Sequence, residues 1–231
     1  MCVNYSPTRK EILSEFANVP IDGLPDWPAE VWKDYMAPIV RHGASGKREA
    51  VVGSYGLVPR RHIPPHIRPW DTMNARAETL GQKRSFSAAW KAGQLCLVPM
   101  TGFFEPNYES GKAERWCISS ADAAPFAVAG LWKEWTEPDG SVTTAFTQIT
   151  INADDHPLMK RFHKPGDEKR SLVILHPHEY DEWLACGDPE LARSFLRHYP
   201  SESLNAFAAP KQPKPPKQPM DNGEDKQGSL I

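Results

Sequence analysis

The chain has no apolar run of the roughly 20 residues that a membrane-spanning helix needs. Its opening, MCVNYSPTRKEILSEF, lacks the apolar centre of a secretory signal. A cytoplasmic protein with no membrane contact is therefore expected. Cysteine is scarce: Cys2, Cys96, Cys117 and Cys186 are widely spaced and form no C-x-x-C pair. That pattern fits reduced thiols and argues against a disulfide frame or a zinc site, so neither metal nor cofactor is expected. An excess of positive charge is missing too, since 27 Lys and Arg face 29 Asp and Glu, a formal net charge of −2. Nonspecific coating of nucleic acid needs many cations to neutralise phosphates, so any contact with DNA must be local. There is no internal repeat.

What is present is enough for one well-buried domain in 231 residues, 40% of them hydrophobic. Short runs bounded by Gly and Pro (AVVGSYGLVP, GQLCLVP, TGFFEP, RWCIS, FAVAGLW and AFTQITIN) are rich in β-branched and aromatic residues and read as strands, although their alternation is weak. SPTRKEILSEF reads as a helix with Ser6 as N-cap, Pro7 in its first turn, and Ile12, Leu13 and Phe16 on one face. A second helix is predicted over Ser85 to Ala92, and HPHEYDEWL and DPELARSFLRHY give two amphipathic helices packed on the outside. The expected fold class is α+β, a single domain around an open, mostly antiparallel β-barrel with peripheral helices. That domain is expected over residues 1–207, with a disordered Pro- and Lys-rich tail over 208–231.

Cysteine at position 2 raises a chemical question. A small second residue permits removal of Met1, which leaves an amine and a thiol on one carbon. Their reference pKa values, ~7.7–8.0 and ~8.5, make both nucleophilic near neutrality after a modest shift, and together they close a five-membered ring with an aldehyde. The alternative is a buried thiol that acts as a small hydrophobe.

Other segments carry groups that suit such chemistry. In TMNARAETL, Asn74 and Arg76 stand two apart, so an extended backbone puts an amide and a guanidinium on one face. The amide can accept from an amine, and the guanidinium can grip a phosphate; the alternative is a turn with a surface ion pair between Arg76 and Glu78. Glu105, in TGFFEP, follows two aromatic rings, where poor solvation raises its pKa and makes it a candidate general acid. His156 and His163 lie seven apart, and His163, among lysines and arginines, is expected to be neutral and usable as a base. Two basic stretches with aromatics or histidine could touch DNA: Pro59 to Trp70, with Arg60, Arg61 and Trp70, and Met159 to Arg170, with Lys160 and Arg161. Each could equally be a solvated loop.

Taken in order, Cys2, NARAET, CLVP with GFFEP, FAVAGLW and ITINADDHPLMKRFHKPGDEKRSLVIL resemble the SOS response-associated peptidase family, also called abasic-site processing proteins. The resemblance runs from Cys2 to about Leu184. It implies an open β-barrel with a positive cleft for single-stranded DNA containing abasic sites, and a monomer is expected. It further implies that Cys2 condenses with the aldehyde of the ring-opened abasic site to form a thiazolidine crosslink. On this match Asn74 lies beside the cysteine amine, Arg76 at the DNA backbone, Glu105 is the acid/base, His163 assists ring opening, and Thr150 is near the glutamate. Hydrolase (peptidase) and lyase activities are implied as well, the first as release of Met1. The chain departs from the family's common pattern at Asn4, where an arginine is usual, at Pro106, and in HKPGDEKR, which places an inserted loop after His163. Beyond His198 no match is seen. Two rivals remain: an N-terminal nucleophile amidase of the glutamine amidotransferase kind, and a noncatalytic damage-binding module in which Cys2 only packs.

Overall fold

The structure, a computed structural model, describes residues 3–211. Cys2 and nearly all of the expected tail lie outside the described residues. The chain opens with β1 (Asn4–Pro7), α1 (Lys10–Ala17), β2 (Met36–His42), β3 (Arg48–Tyr55), β4 (Asn74–Arg76) and α2 (Ser87–Lys91). It continues with β5 (Leu95–Asn107), β6 (Glu114–Ser120), β7 (Phe126–Thr136), β8 (Val142–Asn152), β9 (Arg170–Leu172) and β10 (Ile174–Leu175). Two short helices, α3 (Tyr180–Ala185) and α4 (Pro189–Ala192), precede β11 (Leu204–Ala208).

Strands β2, β3, β8, β7 and β5 form a ring. All of its pairings are antiparallel except β3 with β8. The α+β barrel expected from the strand-like runs is present, and its ring closes, narrowly: β2 meets β5 over only two residue pairs, Val40 with Leu97 and Arg41 with Cys96.

The weak alternation of these runs has a structural cause. On β5, Leu95 and Leu97 join one apolar cluster with Trp90, Trp183 and Leu184, while Cys96, Val98 and Met100 join another with Tyr55, Phe103 and Phe146. A strand covered on both faces reads as a continuous apolar run. The same double burial fixes Gly130 on β7, where a Cβ would lie 2.7 Å from the Thr147 carbonyl oxygen and 2.9 Å from the Cys96 sulfur. The carbonyl belongs to a ladder and cannot yield. Gly130→Ala is expected to destabilise the fold by ~1–3 kcal/mol, read as a lower denaturant midpoint at unchanged slope.

Three local expectations need correction. The first helix starts at Lys10, because Ser6 and Pro7 are committed to β1, paired with Gly102 and Met100 of β5. Its buried residues are Leu13 and Ala17, while Ile12 is exposed. GQLCLVP and TGFFEP are halves of one 13-residue strand. At the C-terminus β11 ends at Ala208, and the Ala209 amide still donates to the Arg115 carbonyl, just past the expected boundary. The partner of β11 is β6, so LNAFA adds an edge strand that the sequence pattern did not reveal.

Candidate active site

Past the ring, β5 runs on between β1 and β6 and carries Glu105. Its flanking residues set the environment. Glu105 is 3% exposed, and burial pushes its carboxyl up to about 7. Asn4, the first residue of β1, pairs with Phe104, so the N-terminal end of that strand lies at the rung next to Glu105.

His163 reaches the same place from a loop clamped onto the end of β5. The His163 amide donates to the Pro106 carbonyl at 2.9 Å, Phe162 bridges to Asn107, and the Asn107 amide group donates to the Arg161 carbonyl. This docking holds His163 at φ +66°, a left-handed conformation that costs a non-glycine residue ~1–3 kcal/mol. The ring is buried, and its pKa falls to about 4, chiefly by desolvation, with the Lys169 charge adding to the effect.

The tautomer of His163 follows from its partners. Nε2 lies 3.0 Å from the Arg170 carbonyl oxygen, which can only accept, so Nε2 carries the hydrogen. That leaves Nδ1 with a bare lone pair, 3.2 Å from Glu105 Oε2. Between the two pKa values the proton of the pair resides on Glu105. The arrangement can give a proton to a reacting group and take one back.

Beside the pair opens a cleft of about 590 Å³, lined by Arg76, Pro106, Tyr108, His163, Glu168 and Arg170 among others. Asn74 and Arg76 share one face of β4, as their spacing predicts; Asn74 is 9% exposed and Arg76 is at the surface. β4 runs parallel to β8, with Arg76 opposite Thr150. Arg76 pairs with Glu168 at 2.6 Å, not with Glu78. Glu78 instead grips Arg170 through two bonds of 2.9 Å. Burial alone would raise the Glu78 carboxyl, but the Arg170 hydrogen bonds and charge hold it below its ordinary value. Arg170 is 2% exposed and also donates to the Thr150 carbonyl and hydroxyl oxygens and to Glu168. Thr150, 1% exposed, faces Arg170 rather than solvent.

The other expected DNA contacts lie outside this cleft. Arg60 and Arg61 line a separate shallow depression with Ile63, Pro64 and Pro65, and Arg61 is paired with Glu137. The Trp70 ring is exposed, and its N–H donates to Ser85. Arg161 makes a bidentate pair with Glu109, and Lys160, exposed, precedes it on the same turn. His156 is structural: its Nδ1 accepts from the Leu158 and Met159 amides, and its Nε2–H donates to the Tyr199 carbonyl. Among the described residues no cluster of His, Cys, Asp or Glu could hold a metal ion, and no helix is long and apolar enough to cross a membrane. The residue that sequence reasoning missed is Arg170. Its one signal is position, since it is the last charged residue before the apolar run SLVIL.

This architecture is shared with known proteins. A crystal structure of a protein from Bordetella bronchiseptica superposes with a TM-score of 0.78 at 35% identity, over 90% of this chain and 99% of that one. A second, from Bacteroides thetaiotaomicron, has the same fold at a TM-score of 0.70 and 22% identity, over 90% and 91% of the two chains. In sequence the chain is 30% identical over 154 residues to the abasic site processing protein YoqW of Bacillus subtilis. That match covers 63% of this chain and 64% of YoqW, so the chain spans less than two thirds of this relative's length. The family profile described as SOS response associated peptidase (SRAP) matches residues 1–212. With fold and sequence in agreement over nearly the whole chain, the protein belongs to the SRAP family.

Proposed function

We propose that the protein captures abasic sites in single-stranded DNA by forming a thiazolidine between Cys2, freed of Met1, and the aldehyde of the opened sugar. The observation that carries this reading is the buried Glu105–His163 pair, beside a cleft that presents Arg76 and one rung from the start of β1. Relatives named as abasic site processing proteins support it.

The steps balance on this site. The neutral Cys2 amine adds to the aldehyde carbon to give a carbinolamine. Glu105 donates its proton to the hydroxyl, water leaves, and an iminium forms. The Cys2 sulfur then bonds to that carbon as the thiol proton passes to the Glu105 carboxylate, which restores the starting protonation. His163 assists by keeping an unprotonated Nδ1 3.2 Å from the Glu105 carboxyl and by helping to open the sugar ring. Asn74 orients the amine, and Arg76 holds the backbone. An iminium left uncaptured permits strand cleavage by β-elimination, and closure by sulfur removes that path. The peptidase step in this reading is release of Met1.

Intact mass before and after mixing with a uracil-excised oligonucleotide tests this. The expected species is the chain without Met1, then that chain plus the oligonucleotide less one water. An amidase of the N-terminal nucleophile class would leave the DNA unmodified and release ammonia from glutamine.

A further inference from the structure

The cleft beside Glu105 already holds an anion, and it comes from the protein itself. Glu168 lies in the short loop between His163 and β9. One of its carboxylate oxygens is 2.6 Å from Arg76 Nη1; the other is 2.7 Å from Arg170 Nη1 and 3.3 Å from Asn152 Nδ2. Two guanidinium groups and an amide converging on one two-oxygen anion are the donors that recognise a phosphodiester. We infer that Glu168 is a resident, displaceable anion that occupies the place of a DNA phosphodiester between Arg76, Arg170 and Asn152.

Charge and mechanics both allow the exchange. Arg76 and Arg170 are balanced by Glu78 and Glu168. Replacing Glu168 with a phosphodiester of the same charge leaves that balance intact, and buried Arg170 keeps its two bonds to Glu78 throughout. The Glu168 side chain is 34% exposed and the Arg76 side chain 47%, so a strand can reach the pair from solvent. Gly166 offers the loop a pivot: its φ of +85° suits glycine, and a Cβ there would meet nothing within 4 Å. Its base stays fixed, because the Lys169 ammonium donates to the His163 and Lys164 carbonyls and the Lys169 amide donates to Asp154. Glu168 can therefore swing out while His163 remains on Glu105. DNA must compete with this carboxylate, which sets a threshold against weak, nonspecific binding by a chain of net charge −2.

This inference rests on the reading of the protein as a DNA-binding one, and the two are tested apart. Binding of an undamaged oligothymidine, followed by fluorescence anisotropy at several salt concentrations, compares the wild type with Glu168→Gln, Arg76→Gln and the double variant. Glu168→Gln is expected to bind about 5- to 20-fold tighter at low salt and to steepen the salt slope by ~0.7, one more phosphate contact on a single strand. The gain should vanish in the double variant with Arg76→Gln. Equal or weaker binding by a Glu168→Gln protein with wild-type melting overturns the inference; so does a gain that survives loss of Arg76. If Glu168→Gln lowers the melting temperature, Glu168→Asp takes its place. It keeps the charge but shortens the reach, and an affinity no higher than wild type then overturns the inference. Covalent capture of an abasic oligonucleotide by the wild type reports separately on the function itself.

Discussion

Cys2→Ala is expected to abolish covalent capture altogether: no protein–DNA band survives denaturation, while the melting transition stays as in the wild type. The amine remains in this variant after Met1 is removed, so a Schiff base can still form, but nothing closes it. Two outcomes then distinguish the roles of nitrogen and sulfur. Borohydride should trap an adduct with the variant, and without borohydride the abasic strand should be nicked by β-elimination. A stable band from Cys2→Ala without reductant would refute thiol capture.

The second large effect is expected at Glu105. Glu105→Gln keeps the shape and removes the transferable proton, so the rate of capture should fall by ~10²–10⁴. The pH profile should change as well. In the wild type the rate declines above about 7 as the acid loses its proton, while the amine of residue 2 contributes a rising limb near ~7.7–8.0. The variant keeps only the rising limb. A variant within threefold of wild type at pH 6 would remove Glu105 from the mechanism.

The same pair makes a prediction about stability. Glu105 rises on folding from 4.5 to about 7, so its contribution is greatest at low pH and is lost as pH climbs through about 7. His163 falls from 6.5 to about 4, so its contribution is present above 6.5 and is lost as pH drops toward 4. Between 4.5 and 6.5 the folded pair holds one proton, on the carboxyl, and the unfolded chain also holds one, on the imidazole. The counts match, so this pair adds no slope to stability across that window. Glu105→Gln unbalances them: the unfolded chain then binds one proton more, and stability should rise with pH by up to ~1.4 kcal/mol per unit relative to the wild type. Parallel wild-type and variant curves would show that the proton is not shared as described.

Much of the candidate site was legible because its signals are local. Two aromatic rings before a glutamate announce a poorly solvated carboxyl, and the two-residue spacing of Asn74 and Arg76 announces a common face. The strand-like runs were legible for the same reason. What escaped notice depends on partners far along the chain. The first helix was drawn too early because Ser6 and Pro7 pair with residues almost a hundred positions away. Arg170 looked like one more charge in a basic stretch; its meaning comes from Glu78, 92 residues distant, and from a carbonyl that fixes the His163 tautomer. Likewise the partner of Arg76 could not be read from NARAET, because the loop that supplies Glu168 meets β4 only in the folded molecule.

Strand β5 is the barrel's most thoroughly enclosed stave, and it also carries Glu105, the proposed proton donor. Segments of this kind exchange their amide hydrogens last and part from their neighbours only when the whole domain melts. Heat should therefore cost the protein its chemistry and its tertiary structure in one step, with no warm, folded, inactive species in between.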